Sequence, residues 1–344
     1  MSAEHNDQAL PDGGVLVMGT GSVGGWLGGR LAAAGVPVQL VGRPRMLGAL
    51  RSAGLTLTDL DGGRLQLAPA QLQLFDAVPA GARPGLVLLC VKSGATAQAA
   101  AELAAALPAG TLVLSMQNGL GNAAIAQAKA PQLVLLPAMV PYNIAELAPG
   151  QLHRGTAGVL AAQDHPALRP WLPVLRDAGL AMTLHADLAP LQWGKLLLNL
   201  NNAVNALSGL PLRSQLLDRH LRACSAALIA ETLGLLARAG IRPKSPAGTP
   251  PALMVQVMRL PTPLFRLLAA RLLRMDAQAR SSMADDLALG RATEIDAIQG
   301  EVLRLAQRLG LAAPLNARIS ALVRGWPQHP MQFSGPMLRQ TLGV

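Results

Sequence analysis

The chain has 344 residues, 51% of them hydrophobic and 14% charged, with a net charge of +10, so it can bury a large core, as two domains more readily than one, and is not disordered. The positive charge invites a nucleic-acid reading, but the arginines are scattered, and one Tyr and three Phe make no stacking platform for single strands. Two cysteines in unrelated contexts, Cys90 and Cys224, exclude a disulfide framework and a zinc site and fit a reducing, cytoplasmic setting.

Residues 1–13 read as a disordered tail. They carry no basic region followed by an apolar stretch, so no signal peptide is expected. No uninterrupted apolar run reaches about 18 residues, so no membrane span is expected. Val15 to Met18 reads as a short buried strand, Ser22 to Ala34 as a helix ended by Gly35, and Val36 to Val41 as the next strand. Leu55 to Leu57 and Arg64 to Leu67 form a strand pair around Asp61-Gly62-Gly63. Leu86 to Val91 and Thr111 to Ser115 are apolar strands with an Ala-rich helix, Ala95 to Leu107, between them. Strands that are apolar throughout and alternate with helices indicate a parallel sheet covered on both faces. Val134 to Val140, Gln151 to Leu160 and Leu180 to Leu184 read as further strands of this domain.

After about Asp187 the pattern becomes helical. Leu188 to Leu207, Leu216 to Ala239, Ala252 to Met275, Ser282 to Leu309 and Leu315 to Arg324 each read as one helix, with Gly- or Pro-rich breaks between them. The expectation is an α/β Rossmann domain over residues 14–187 followed by an all-α domain over 188–344.

Gly19-Thr20-Gly21-Ser22-Val23-Gly24 follows the first strand and opens the first helix, which is the context a dinucleotide-binding turn requires. The first Gly makes the tight turn, the second admits the pyrophosphate to the backbone, and the third lets helix pack on strand. The second strand ends in Val41-Gly42-Arg43-Pro44-Arg45. An acid there would bind a ribose 2′-hydroxyl; arginine binds a 2′-phosphate instead. The cofactor expected is therefore NADPH, with Arg43 as the main contact.

Arg outnumbers Lys by 25 to 4, so the four lysines mark places where Arg will not serve. A lysine can lose its proton in a pocket and act as a general acid at neutral pH; an arginine cannot. Lys195, Asn199 and Asn202 lie at i, i+4 and i+7, on one face of an otherwise apolar helix, and such a stripe costs stability unless it is paired or faces a cleft. Ser282 is a candidate N-cap with Asp285 at N3. Glu294 lies at the edge of the stripe made by Ile295, Ile298, Val302, Leu305 and Leu309, one turn before Ile298, where it could reach into a cleft; read alone, such a residue is more often a solvated helix charge. The histidines have no metal-ligand spacing, and no metal is expected.

Together these residues resemble the ketopantoate reductase (2-dehydropantoate 2-reductase) family. The resemblance runs from about Val15 to Arg324 through five blocks: Gly19 to Gly24, Val91-Lys92-Ser93, Met116 to Gly119, Trp193 to Asn199, and Ser281 to Asp286 running into Thr293-Glu294-Ile295-Asp296. It implies a Rossmann domain and an all-helical domain, as in 6-phosphogluconate dehydrogenase, with the active site in the cleft between them. It also implies NADPH-dependent reduction of ketopantoate to pantoate in pantothenate biosynthesis. Lys195 would be the proton donor and Glu294 its positioning partner. Asn199 and Ser282 match substrate-binding positions, and Lys92 and Asn118 match cofactor-lining ones. The family often has a further Asn where this chain has Ala203, a role Asn202 would take by a small helix rotation. The alternatives are a reductase of the same fold for another 2-oxo acid and, ranked lower, a non-catalytic NADPH-binding regulator. The partner expected is a small 2-oxo acid, with no nucleic acid and no membrane. The oligomeric state is left open, a homodimer being compatible with it.

Overall fold

A computed structural model of the chain describes residues 11–246, 248–270, 273 and 278–344. Residues 1–10 of the expected tail lie outside them. Asp12 and Gly13 are packed, since a Cβ on Gly13 would stand 2.3 Å from the Arg83 carbonyl oxygen and one on Gly85 would stand 2.2 Å from that of Asp12. The chain divides into two compact units: Met1–Gln117 with Asn122–Leu188, and Asn118–Gly121 with Ala189–Val344.

The first unit is built on an eight-stranded sheet. Its spatial order is Met182–His185, Leu160–Gln163, Val134–Met139, Leu112–Ser115, Leu86–Leu89, Val15–Met18, Val38–Val41 and Gln73–Phe75. All neighbours are parallel except Leu160–Gln163 against Val134–Met139. The central strands Val15–Met18 and Leu86–Leu89 are apolar throughout because both faces are buried. Val15 and Val17 enter one core with Leu86 and Leu88, while Leu16 and Met18 enter the other with Val87 and Leu89.

Four more strands, Arg64–Leu67, Leu55–Asp59, Gln151–Arg154 and Ile144–Ala148, form a second sheet. The expected pair around Asp61-Gly62-Gly63 is present, with Leu57 opposite Leu65. The stretch 151–160 is not one strand. Gln151–Arg154 pairs in the small sheet and Leu160–Gln163 in the large one, with Gly155 and Gly158 in the connection where the chain changes sheets. Sequence patterning missed the helix Pro44–Ala53 and the strand Gln73–Phe75.

Among the described residues the elements of the second unit are all helices; Leu315–Arg324 lies within one helix, Pro314–Gly325, as expected, but the four longer segments read as one helix are divided. Leu188–Leu207 is Ala189–Asn199 and Asn201–Ser208. Leu200 between them keeps a right-handed backbone, and the buried Gln299 amide donates to its carbonyl, which is the kind of side-chain insertion that kinks a helix. Asp218 caps the Arg219–Arg238 helix by accepting from His220 N and Leu221 N, separating it from Leu212–Leu217. Pro261 stops Pro251–Arg259 short of Thr262–Leu268, because a proline cannot continue the hydrogen-bond ladder. The expected continuation of this segment to Met275 lies partly outside the described residues. Ser282–Ala288 is parted from Ile295–Arg308 by Gly290 in a left-handed conformation, φ 61°. The N-cap of Ser282–Ala288 is Ser281, whose hydroxyl accepts from Ala284 N, in place of the expected Ser282. A last helix, Gly335–Leu342, was not anticipated.

Arg219–Arg238 is long and apolar enough to cross a membrane by length and composition, but 56% of that stretch is buried within the protein. Its Leu221, Cys224, Leu228 and Leu236 belong to the core of the unit.

The same helix carries a wholly buried Arg222. Its guanidinium donates to the carbonyls of Leu216, Met258 and Leu260 and to the Thr262 hydroxyl, and it stacks 4.3 Å from the centre of the Phe265 ring. The planar fork thus ties the ends of four helices. Arg222→Met is expected to lower stability by about 3 kcal/mol or more, because it strands several buried acceptors at once. Arg222→Lys should recover only part of this, since an ammonium lacks the fork. Urea unfolding followed by circular dichroism measures both.

Candidate active site

In the first unit, Gly19 takes φ 107°, a conformation that suits glycine, and a Cβ there would strike the backbone of Cys90 and Val91 at 2.7–2.9 Å. The turn is locked to the next strand: Gly19 N, Thr20 N and the Thr20 hydroxyl all donate to the Val41 carbonyl. Gly24 lies so close beneath the turn that a Cβ would stand 2.1 Å from the Gly19 oxygen. Around Gly21, by contrast, nothing lies within 4 Å of a Cβ position. Among the described residues no side chain caps the Ser22–Ala33 helix, which begins there. Ser22 and Val23 therefore open the helix on an uncapped N-terminus, with unspent N–H groups facing an open approach, which is how a pyrophosphate is held. The residues present fit a dinucleotide.

The strand Val15–Met18 is flanked by Val38–Val41 and by Leu86–Leu89, so the glycine turn lies where the strand order reverses, the usual place for a nucleotide. Arg43 is exposed at the end of Val38–Val41 and directly precedes the Pro44–Ala53 helix. Arg45 is engaged elsewhere: both its terminal nitrogens donate to the Glu146 carboxylate at 2.8 Å. Lys92 is exposed at the start of the turn after Leu86–Leu89.

In the second unit three candidate residues converge. The Lys195 Nζ donates to the Asn118 Oδ1 at 2.7 Å, and the Asn118 Nδ2 donates to the Glu294 Oε2 at 2.9 Å. One amide thus joins the amine to the carboxylate, using its acceptor toward one and its donor toward the other. Burial pushes the Lys195 ammonium down to about 8, and the Glu294 carboxylate opposes that fall. A lysine so tuned is protonated at neutral pH yet able to give its proton up.

Backbone contacts place these groups. Gly194 lets the Ala189–Asn199 helix approach the 242–246 segment so closely that a Cβ would stand 1.8 Å from the Lys244 carbonyl oxygen. Lys244 N in turn donates to the Pro190 carbonyl. Gly119, at φ 89°, backs onto the Ala297 carbonyl, where a Cβ would stand 2.6 Å away, and Gly121 N donates to Glu301 Oε1 at 3.1 Å. Glu294 sits at the N-cap of Ile295–Arg308, not inside a continuous helix, and the Asn118–Gly121 turn is held against that helix by Glu301. Sequence reading missed Glu301; its signal was the spacing of seven from Glu294, which is two helical turns.

Asn199 and Asn202 lie on either side of the Leu200 kink, both half-buried. Neither amide side chain has a hydrogen-bond partner among the described residues. The amides beside them are spent on structure. Asn201 exchanges bonds with Gln215 and accepts from Ser225, and Asn205 accepts from Ser281 N. Ala203 is fully buried in the core, so an Asn there would have no access to solvent without the helix turning. Ser282 is exposed, and the preceding Ser281 is fixed by Asn205 and by its own bond to the Asn202 carbonyl.

The first unit holds a further network that patterning missed. Gln117 donates to the Val91 carbonyl and to the Thr96 hydroxyl, and that hydroxyl donates to Asn122 Oδ1. Asn122 donates to the Ser93 hydroxyl. Gln117 and Asn122 are the residues on either side of Asn118–Gly121, and Val91 and Ser93 those on either side of Lys92.

Comparison with known proteins places the family and the fold. Residues 15–167 match the family described as ketopantoate reductase PanE/ApbA, and residues 187–326 match its C-terminal counterpart. The chain is 30% identical over 322 residues to the 2-dehydropantoate 2-reductase of Halobacterium salinarum, covering 90% of this chain and 97% of that protein. A crystal structure of a PanE/ApbA family ketopantoate reductase from Ralstonia eutropha superposes with a TM-score of 0.75 at 27% identity, covering 96% of this chain and 99% of that one. D-mandelate dehydrogenase, solved with NADH and anilino(oxo)acetate, shares the fold at the same TM-score and coverage with 17% identity. The chain belongs to the ketopantoate reductase family of oxidoreductases.

Proposed function

We propose that this protein reduces ketopantoate to pantoate with NADPH, Lys195 serving as the general acid. The observation that carries the reading is the Lys195–Asn118–Glu294 chain of hydrogen bonds around an amine tuned to about 8. NADPH, when bound, supplies the hydride to the keto carbon. Gly19, Thr20, Gly21, Ser22, Val23 and Gly24 would hold its pyrophosphate and Lys92 would line its site. Arg43 would take the 2′-phosphate, a role favoured by the engagement of Arg45 with Glu146.

As negative charge develops on the substrate's keto oxygen, the Lys195 ammonium stabilises it and then delivers a proton. Asn118 and Glu294 orient the amine, and Glu294 keeps it charged. The unspent amides of Asn199 and Asn202 and the Ser282 hydroxyl are the groups available to bind the substrate's carboxylate and hydroxyl. That their side chains have no hydrogen-bond partner among the described residues supports that use, since a polar group committed to structure cannot also bind ligand.

The direct test is optical: oxidation of NADPH in the presence of ketopantoate, compared with a panel of other 2-oxo acids. Lys195→Ala is expected to lower kcat by about 10²–10⁴-fold, and near-normal turnover would remove the assignment. The acid form is the active one, so kcat/KM should fall as pH rises through about 8. Because Glu294 raises the lysine's pKa, Glu294→Gln should move that falling limb to lower pH; a limb that stays in place or moves upward contradicts the role. Wild type should prefer NADPH to NADH, and Arg43→Ala should erase most of that preference by raising the KM for NADPH while leaving NADH kinetics nearly unchanged.

A further inference from the structure

The first unit contains a polar cavity of about 90 Å³, lined by Trp26, Arg30, Asp59, Tyr142, Arg154 and Gly179 to Ala181, with Gly158 at its wall. Roughly 10–15 Å³ suffices for one water, so the space admits a small polyatomic ligand. Arg30 and Trp26 belong to the helix that opens with Ser22. Arg30 is eight residues along it, about 12 Å from its start, so the cavity is separate from the glycine turn.

Its donors are more numerous than its acceptors. Arg30 uses Nε on the Ala178 carbonyl, and its terminal nitrogens make no hydrogen bond or ion pair among the described residues. The Nε of Arg154 is buried with no hydrogen-bond partner. The Tyr142 hydroxyl likewise has none among the described residues, and the Arg154 guanidinium lies 5.7 Å from its ring centre. Burial raises the Tyr142 phenol above its usual range against the pull of both arginines, so the hydroxyl stays protonated and donates.

The acceptors nearby are already committed. Asp59 Oδ1 accepts from Asp61 N and Gly63 N, while its Oδ2 and the largely exposed Asp61 face Arg154 at 3.6 and 3.0 Å. Among the described residues no carboxylate pairs with Arg30. The cavity wall accommodates that side chain through glycine: a Cβ on Gly179 would stand 1.9 Å from Arg30 Nη2. A partly buried guanidinium beside two unspent donors is costly unless an acceptor, best a charged one, fills the space.

We propose that this cavity is a binding site for a small oxoanion or carboxylate, held by the Arg30 guanidinium, the Arg154 Nε–H and the Tyr142 hydroxyl. Occupancy would tie the far end of the nucleotide-binding helix to the Gln151–Arg154 strand and to the turn before Met182–His185.

The test is calorimetric titration of the full-length protein with inorganic phosphate, and separately with acetate, at constant ionic strength. Saturating NADPH keeps the anion out of the glycine turn. One saturable site per chain is expected for at least one of the two anions. Tyr142→Phe, which keeps the ring, should weaken binding roughly tenfold or more, and Arg30→Met should abolish it. Absence of saturable binding for both anions, or equal affinity in wild type and Tyr142→Phe, overturns the proposal. Crystals soaked in bromide, without cofactor, should give an anomalous peak beside Arg30 and Tyr142; a peak absent there while others appear elsewhere also overturns it. That arm owes nothing to NADPH binding, so its failure is distinct from failure of the cofactor assignment, and it remains decisive if Arg30→Met does not fold.

Discussion

An amine inside a helix bundle must be kept both dry and charged, and the two demands oppose each other. Burial favours the neutral form of Lys195, while Glu294 favours the ammonium. Asn118 stands between them, accepting from the amine and donating to the carboxylate. The carboxylate therefore acts on the lysine through space and through a fixed amide. Proton donation at neutral pH needs this balance: an exposed lysine would hold its proton too firmly, and one buried without Glu294 would lose it.

Such a balance is only as good as its positioning, and here positioning is done by backbone contact. Gly194 brings the lysine's helix onto the Lys244 carbonyl, and Gly119 brings the asparagine's turn onto Ala297. Glu301 then fixes the end of that turn through Gly121 N while pairing with Arg304. Glycine is required at both contacts because any side chain would collide with a main-chain oxygen. The same economy recurs at the dinucleotide turn, where Gly24 lies against Gly19.

Much of this was legible in the sequence. Short apolar strands alternating with the Ser22–Ala34 and Ala95–Leu107 helices announced the parallel sheet, and the glycine spacing announced the turn on it. The scarcity of lysine in an Arg-rich chain singled out Lys195. What the sequence concealed was set by tertiary contact. Helical periodicity continues across Leu200, and nothing local reveals that Gln299, a hundred residues on, bonds its carbonyl. Pro261 and Gly290 were visible breakers inside segments whose apolar pattern outweighed them. Asn201 and Asn202 look alike in sequence; only the fold gives one to Gln215 and Ser225 and leaves the other unspent. Asn118 was read as a cofactor-lining residue from resemblance, and its place between amine and carboxylate had no local signature.

With only four lysines in the chain, the state of the amine can be observed without recourse to turnover. Nitrogen-detected NMR of protein labelled at lysine, titrated with pH and assigned by replacing each lysine in turn, reads the protonation of Lys195 directly. The predicted midpoint for Lys195 is near 8. A Lys195 resonance titrating close to the ordinary lysine value of 10.5 would contradict the assignment.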